Sequence, residues 1–135
     1  MAMFEWDETQ SVCVKIFDDQ HKRLFTIMNN LYEAMLAGKG REVEEKTLRE
    51  LYDYSNYHFN DEENKMVQLA YPEYEGHKAL HELFITKVKE LQQDFEKNQL
   101  KVTMETLKFL KTWWFKHIQT ADKKYSTHFN QKGLF

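Results

Sequence analysis

The 135-residue chain has few of the residues that interrupt regular structure, since it contains four glycines and one proline. Because these residues mark most turns, their scarcity favours a few long helices. The single cysteine, Cys13, excludes an internal disulfide and agrees with a reducing compartment. No apolar run approaches the roughly 20 residues of a membrane-spanning helix, and residues 1–7 lack a signal-peptide pattern. We therefore expect a cytoplasmic protein without a membrane span.

The chain also has little excess of either charge, because its formal net charge is only −3. Without a long basic stripe, nucleic acid is not an expected partner. Hydrophobic residues make up 41% of the chain and charged residues 30%, a balance typical of a soluble globular domain rather than a disordered chain. The length fits one domain over residues 1–135, and no repeat or change in composition marks a second.

Apolar residues recur at steps of three and four along four segments, as they do on one face of a helix. The first segment follows Asp18 or Asp19, either of which is expected to cap the helix, and it ends at Gly38. The second covers about 43–69 and stops before Pro72, because proline disfavours helical backbone in the residue before it. Four amphipathic helices with short connections predict an all-α, antiparallel up-down four-helix bundle.

The segment before the first helix shows no helical period. We expect residues 1–17 to form an extended N-terminal arm that lies over one end of the bundle, with residues 18–135 forming the bundle itself. A polar stretch at 96–101 is expected to separate the third helix from the fourth.

Five of the six histidines fall on the inward faces of these helices, together with two carboxylates. The set is His21, His58, Glu62, His77, His81, His117 and Asp122. Members four residues apart on one helix share a face. His117 and Asp122 are five apart, a step that turns roughly 140° from the starting face. Both can reach one site only if the helix is locally distorted or the site lies between them.

Each member of this set alone is weak evidence, since a lone inward histidine is usually a hydrogen-bonded core residue. Together they indicate a metal site, because burying all seven without partners would cost on the order of several kcal/mol. Imidazoles and carboxylates are ligands that divalent iron accepts, although manganese or a mixed pair stays an alternative. Seven donors exceed the four of a tetrahedral zinc site and suit two octahedral ions bridged by both carboxylates.

These residues stand within longer motifs, namely Asp19-Gln20-His21, residues 58–63, Tyr71-Pro72, residues 77–81 and residues 113–122. The combination resembles the hemerythrin family in its single-domain bacterial form. The resemblance implies two iron ions with a bridging oxo or hydroxo group. It assigns His21 and His58 to one iron and three histidines to the other, with Glu62 and Asp122 bridging. In this family the iron with two histidines keeps an open position, where dioxygen binds reversibly.

The resemblance also implies apolar walls around the open position. The candidates for these walls are Phe25, Phe59, Trp113, Trp114 and Ile118. Ordinary core packing is an equally good explanation for any one of them. Trp114 stands where the family often has leucine, so its larger ring either narrows the dioxygen pocket or points outward.

Three further residues are expected to lie outside the metal site. Cys13 stands where the family commonly has glycine and is expected to be a small buried apolar residue rather than a redox switch. His128 matches no ligand position and is expected at the surface. Glu63 follows the ligand Glu62 but points about 100° away from it, so it is not expected to bind metal.

The resemblance favours reversible dioxygen storage, or delivery to an oxygen-using enzyme, over catalysis. Sensing of oxygen or redox state with a separate partner is an alternative, as is weak peroxide-removing or ferrous oxidase activity. Ferritin-type di-iron proteins use Glu-x-x-His pairs, and none of the six histidines has glutamate three positions before it. Bis-histidine haem binding is a more distant alternative. The oligomeric state is left open.

Overall fold

The computed structural model describes residues 3–98 and 103–135, and these residues form helices and no strand. The helices are α1 (Lys15–Leu36), α2 (Arg41–Gln68), α3 (Tyr74–Asn98), α4 (Met104–His117) and α5 (Lys123–Gln131). A five-residue π-helical segment, Ile118–Asp122, joins α4 to α5, so these two form one continuous fourth helix. The predicted four-helix bundle is therefore confirmed. Within the described part of the chain, no helix combines the length and apolar character needed to cross a membrane.

The helix boundaries differ from the expected ones where side chains from elsewhere intervene. α1 begins at Lys15, so the arm is shorter than expected. The carboxylate of Asp18 does not cap α1; it accepts hydrogen bonds from the hydroxyl of Ser11 (2.6 Å) and from the backbone N–H of Val12 (2.8 Å). Asp19 pairs instead with Lys15 at 2.9 Å. The prediction that Asp18 or Asp19 caps α1 was wrong. Asp18 binds the arm instead, and Asp19 forms an ion pair on the surface of the helix.

The third helix is also longer than expected. α3 continues to Asn98, so its last residues occupy part of the polar stretch expected at 96–101. The rest of that stretch lies outside the described residues, as do the first two residues of the arm.

The arm lies along the side of the bundle, between α1 and the fourth helix, rather than over one end. The backbone N–H of Phe4 donates to the side chain of Asn29, and the carbonyl of Phe4 accepts from the same amide, both at 2.8 Å. Farther along the arm, the hydroxyl of Ser126 donates to the carbonyl of Val12 at 2.5 Å. Buried backbone groups of an extended segment need partners, and polar side chains along α1 and the fourth helix supply them here.

Cys13 is exposed, which corrects the expectation of a buried residue. Its φ of +58° lies in the left-handed region, where a residue with a β-carbon is strained. Its carbonyl accepts a hydrogen bond from the side-chain amide of Asn130 at 3.0 Å. The position is therefore determined by a backbone turn between the arm and α1 and not by packing of the thiol.

Apolar side chains fill the interior on both sides of one polar layer. Fully buried members toward one end are Phe17, Met66 and Phe129, and members toward the other are Leu31, Leu51 and Leu107. The polar layer between them consists of the histidines and carboxylates that the sequence singles out.

Candidate metal centre

The seven candidate ligands meet in one buried layer, and each is 5% exposed or less. Their donor atoms form two overlapping groups, and within each group all donor atoms lie within 4.8 Å of one another. The first group is Glu62, His77, His81, His117 and Asp122, and the second is His21, His58, Glu62 and Asp122. We call these the three-histidine group and the two-histidine group.

Glu62 and Asp122 belong to both groups because each turns one oxygen toward each of them. Oε2 of Glu62 lies 3.3 Å from Nε2 of His58, whereas Oε1 lies 3.3 Å from Nε2 of His81. Asp122 divides in the same way: Oδ2 lies 3.1 Å from Nε2 of His21, and Oδ1 faces the three-histidine group. Two carboxylates arranged like this are able to bridge two cations.

Most of the inward-facing donor atoms have no hydrogen-bond partner. The buried atoms without one include Nε2 of all five histidines, Oε1 of Glu62 and both carboxylate oxygens of Asp122. Each buried polar atom left unpaired costs about 1–3 kcal/mol, and native proteins rarely concentrate them. Cations between these lone pairs would remove that cost, since imidazole nitrogen and carboxylate oxygen are ordinary metal donors. The residues present therefore fit a pair of metal ions.

A π-helical turn brings His117 and Asp122 to the same site. Residues Ile118–Asp122 adopt this wider turn in the middle of the fourth helix. Because a π-turn bonds residues five apart, a five-residue step returns close to its starting direction. The sequence left two explanations for the five-residue spacing: a local distortion of the helix, or a site that lies between the two residues. The structure shows the local distortion.

Two histidines are oriented from behind by side chains of other helices. Nδ1 of His58 is 2.6 Å from Oε1 of Gln20, whose amide nitrogen in turn donates to Asp61 at 2.7 Å. Nδ1 of His81 is 2.7 Å from a carboxylate oxygen of Glu63. With the proton on Nδ1, each ring presents the lone pair of Nε2 to the site. Glu63 lies outside both groups. The sequence does not predict its contact with His81, because helical periodicity does not reveal which neighbouring helix a side chain meets.

Tyr125 orients one of the carboxylates. Its fully buried hydroxyl donates to Oε2 of Glu62 at 2.5 Å. Burial, together with the charges of Glu62 and Asp122, raises the pKa of the Tyr125 phenol well above its usual range, so the phenol keeps its proton. No signal in the sequence distinguishes Tyr125 from the apolar residues beside it.

The histidines keep both carboxylates ionised despite their burial. Burial opposes the ionisation of Glu62, yet the neighbouring imidazoles of His58 and His21 hold its pKa well below the usual range. Burial and the charge of Glu62 oppose the ionisation of Asp122, yet His117 and His21 hold its pKa well below the usual range. The two ionised carboxylates at the centre of the site therefore attract cations or protons.

Without a metal, some histidines take up protons and others stay neutral. Burial opposes protonation of His21 and His77, but the carboxylate of Asp122 beside them raises their pKa values to about 9 and about 10. Burial lowers the pKa values of His58 and His117 in spite of nearby carboxylates. A cation must displace the protons to reach the lone pairs, so metal binding releases protons.

Trp114 points into the core beside the two-histidine group, so the alternative that it points outward is excluded. The side chain is fully buried. The centroid of its ring lies 6.1 Å from that of His21, 6.0 Å from that of His58 and 5.6 Å from that of Phe59.

Other candidate wall residues also contact the cluster. Phe59 stacks on His81 with ring centroids 3.8 Å apart, and Trp113 stacks on His117 at 4.4 Å. Ile118 is fully buried at the start of the π-helical segment. These two stacks place aromatic surface over the three-histidine group, whereas Trp114 lies beside the two-histidine group.

Phe25 has a different environment. It is buried, but its ring packs against Phe4 and Trp6 of the arm and against Phe115 of α4. It therefore fastens the arm to the bundle, and its place in a dioxygen pocket stays a prediction.

His128 lies outside both groups, but it is not a free surface residue. It is half-buried, and its Nε2 is 2.7 Å from the carbonyl oxygen of Leu69. Its ring packs against Tyr71 at 5.4 Å between centroids. His128 therefore ties α5 to the turn after α2, which corrects the expectation of a surface position.

Comparison with known proteins agrees with this site. Residues 13–128 match the profile described as the hemerythrin HHE cation binding domain. The chain is 32% identical to bacteriohemerythrin of Methylococcus capsulatus over 126 residues, 93% of this chain and 95% of the relative. It is 33% identical to a hemerythrin from Sipunculus nudus over 122 residues, 90% of each chain. A crystal structure of wild-type hemerythrin, 31% identical, covers 93% of this chain and 97% of its own with a TM-score of 0.88. The chain belongs to the hemerythrin family.

Proposed function

We propose that the protein binds dioxygen reversibly at a centre of two iron ions joined by an oxo or hydroxo bridge. One observation carries the proposal: two carboxylates are shared between two groups that hold unequal numbers of histidines. In the proposed ligand set, His77, His81 and His117 hold one ion, His21 and His58 hold the other, and Glu62 and Asp122 bridge them.

The inequality leaves one position for a small molecule. With two carboxylate oxygens and one bridging hydroxide, three histidines would supply the last of six donors to an octahedral ion. Two histidines would supply only a fifth donor, which would leave the second ion one position for a small molecule. An iron pair held by these residues would supply the electrons that reversible dioxygen binding requires.

The protein's own contribution is to position the ligands and to exclude water. Tyr125 holds one oxygen of Glu62 with its hydroxyl, and Gln20 holds the ring of His58. The buried rings of Phe59 and Trp114 cover the cluster. A site closed to water and protons favours the return of dioxygen over its loss as a reduced product.

We propose storage of dioxygen, or its delivery to an oxygen-using enzyme, as the role of the protein in the cytoplasm. The absence of a Glu-x-x-His pair from the sequence argues against iron oxidation as the main activity. Binding rather than turnover is therefore the function that the ligand set supports best.

The test is anaerobic reduction followed by exposure to air, watched by visible absorption with metal analysis alongside. We expect two irons per chain and a colourless reduced form. In air this form should gain a charge-transfer band, and the band should disappear when argon replaces air. Colour that forms irreversibly, or two bound irons without any band, would overturn the carrier role and favour redox sensing or oxidase chemistry.

Two histidine variants provide a matched comparison. His58→Ala removes a proposed ligand, and His128→Ala removes the histidine that lies outside both groups. We expect His58→Ala to lose the reversible band and part of the iron. His128→Ala should retain two irons and the band even if it unfolds more easily. Similar iron contents in the two variants would contradict the ligand assignment.

A further inference from the structure

The indole N–H of Trp114 donates a hydrogen bond to no acceptor in the described part of the chain. The side chain is fully buried, and its indole Nε1–H has no partner. A buried tryptophan usually finds a partner for this group, because an unpaired N–H gives up its hydration without compensation. The unpaired donor therefore points to a ligand that comes from outside the protein.

The indole is next to the open side of the proposed centre. Its ring contacts both histidines of the two-histidine group, His21 and His58, at about 6 Å between ring centroids. Of the other group it contacts only His117, which lies one turn along its own helix. Phe59 stacks between the indole and His81 and so separates Trp114 from that side of the site.

A second polar group without a partner adjoins the same histidine. Ser55 is fully buried, and its hydroxyl has no hydrogen-bond partner. Because Ser55 precedes His58 by three residues, it lies one turn away on the same face of α2. Polar groups from two different helices therefore flank His58, where the sequence predicted only apolar walls.

We propose that Trp114 donates a hydrogen bond to the ligand at the two-histidine position, which strengthens the binding of small anions and of ligands that gain negative charge on binding. The inference rests on the proposed function, since the ligand must be held at that position. A hydrogen bond to a charged acceptor is stronger than one to a neutral acceptor. Leucine, which the family often has here, offers no donor. The substitution therefore adds a hydrogen-bond donor as well as changing pocket size, and dioxygen should leave more slowly.

The experiment is a titration of the oxidised, iron-loaded protein with azide, followed by its charge-transfer absorption. Trp114→Phe removes the N–H and keeps an aromatic ring. We expect it to raise the Kd for azide by about 10- to 100-fold, the range for a hydrogen bond to a charged group. Dioxygen release should also be faster in this variant.

Trp6→Phe is the matched control. Trp6 also has a buried indole N–H without a partner, but it lies in the arm against Phe25. The same chemical change there should leave the Kd for azide as it is in the parent protein. Urea unfolding of the metal-free proteins supplies a readout independent of iron. Trp114→Phe should lower metal-free stability only modestly, by the packing lost with the smaller ring, because the removed N–H has no partner in the folded chain.

The outcomes separate the two proposals. Equal azide affinity in the parent and Trp114→Phe overturns the donor role and leaves reversible dioxygen binding intact. Weaker azide binding accompanied by a large loss of metal-free stability also overturns it, because packing would then explain the effect. A parent protein that binds no iron overturns both proposals.

Discussion

Nδ1 of His81 donates a hydrogen bond to the carboxylate of Glu63, whereas Nδ1 of His58 donates to the amide oxygen of Gln20. A carboxylate acceptor makes an imidazole a stronger donor to metal than an amide acceptor does. The two groups therefore differ in the charge placed behind their ligands as well as in their number of histidines. Both differences would make the three-histidine group the stronger site for a cation.

Replacing Glu63 tests this arrangement. We expect Glu63→Gln to weaken metal binding by about 10- to 100-fold, because the amide keeps the hydrogen bond to His81 but removes the charge. Competition with a coloured chelator measures the affinity. Glu90→Gln makes the same change on an exposed part of α3 and should bind metal like the parent. Equal affinities in the two variants would rule out an electrostatic role for Glu63.

The hydroxyl of Tyr125 should contribute measurably to stability. Tyr125→Phe removes the hydrogen bond to Glu62 and leaves the ring in place. We expect the free energy of unfolding of the metal-free protein to fall by about 1–3 kcal/mol, as for a buried hydrogen bond to a charged group. Urea unfolding measures the change. Tyr57→Phe is the control, since Tyr57 is 57% exposed; a loss of the same size there would contradict the prediction.

The metal-free protein should lose stability as the pH rises above neutrality. The pKa values of His21 and His77 are raised to about 9 and about 10 from an ordinary value of 6.5. The folded chain then holds protons that the unfolded chain has released. Their stabilising contribution is complete below pH 6.5 and is lost as the pH rises through 9 to 10.

On the acid side the sign reverses. The pKa values of His58 and His117 are lowered in the folded chain. As the pH falls, these histidines are therefore protonated in the unfolded chain before they are protonated in the folded chain. Stability therefore falls as the pH drops below 6.5, and the urea midpoint of the metal-free protein should be highest near neutral pH. The metal-loaded protein should not show the alkaline loss, because bound cations need neutral imidazoles. Identical alkaline losses in the two forms would contradict the assignment of these histidines as ligands.

Glycine should be better than cysteine at position 13. The φ of +58° strains a residue with a β-carbon, and glycine adopts this conformation without that strain. After the greater entropy loss of glycine on folding is subtracted, we expect Cys13→Gly to stabilise the protein by roughly 0.5–1 kcal/mol. Cys13→Ala removes the thiol but keeps the β-carbon and should change little. If alanine stabilises as much as glycine, the thiol and not the backbone is responsible.

The features that the sequence predicts well are those that depend on local spacing. The apolar period predicts four helices, and Pro72 predicts the break after α2, because both act within one or two turns. The five-residue step between His117 and Asp122 narrows the local geometry to two possibilities, of which the π-turn is the observed one. The convergence of seven polar side chains is predictable because unpaired burial is so costly.

The contacts that the sequence does not predict join different elements. Glu63 meets His81, and Tyr125 meets Glu62, through the rotation of one helix relative to another, which no spacing within a helix records. Asp18 is a residue type that commonly caps helices, but here its carboxylate accepts a hydrogen bond from the backbone of the arm. The arm's path depends on which side of the bundle offers partners for its backbone, and this follows only from the assembled helices.

The arm forms hydrogen bonds with residues that are far from it in the sequence. Gln119 donates to the carbonyl of Thr9, and Ser126 to that of Val12, over separations of 110 and 114 residues. Contacts between such distant residues carry a large loop-closure entropy and are slow to form. At a synthesis rate of roughly 5–20 residues per second, α5 is made several seconds after the arm, so these contacts cannot form earlier. During that time the apolar surface of α1 that the arm later covers, including Phe25, is open to chaperones and to other nascent chains.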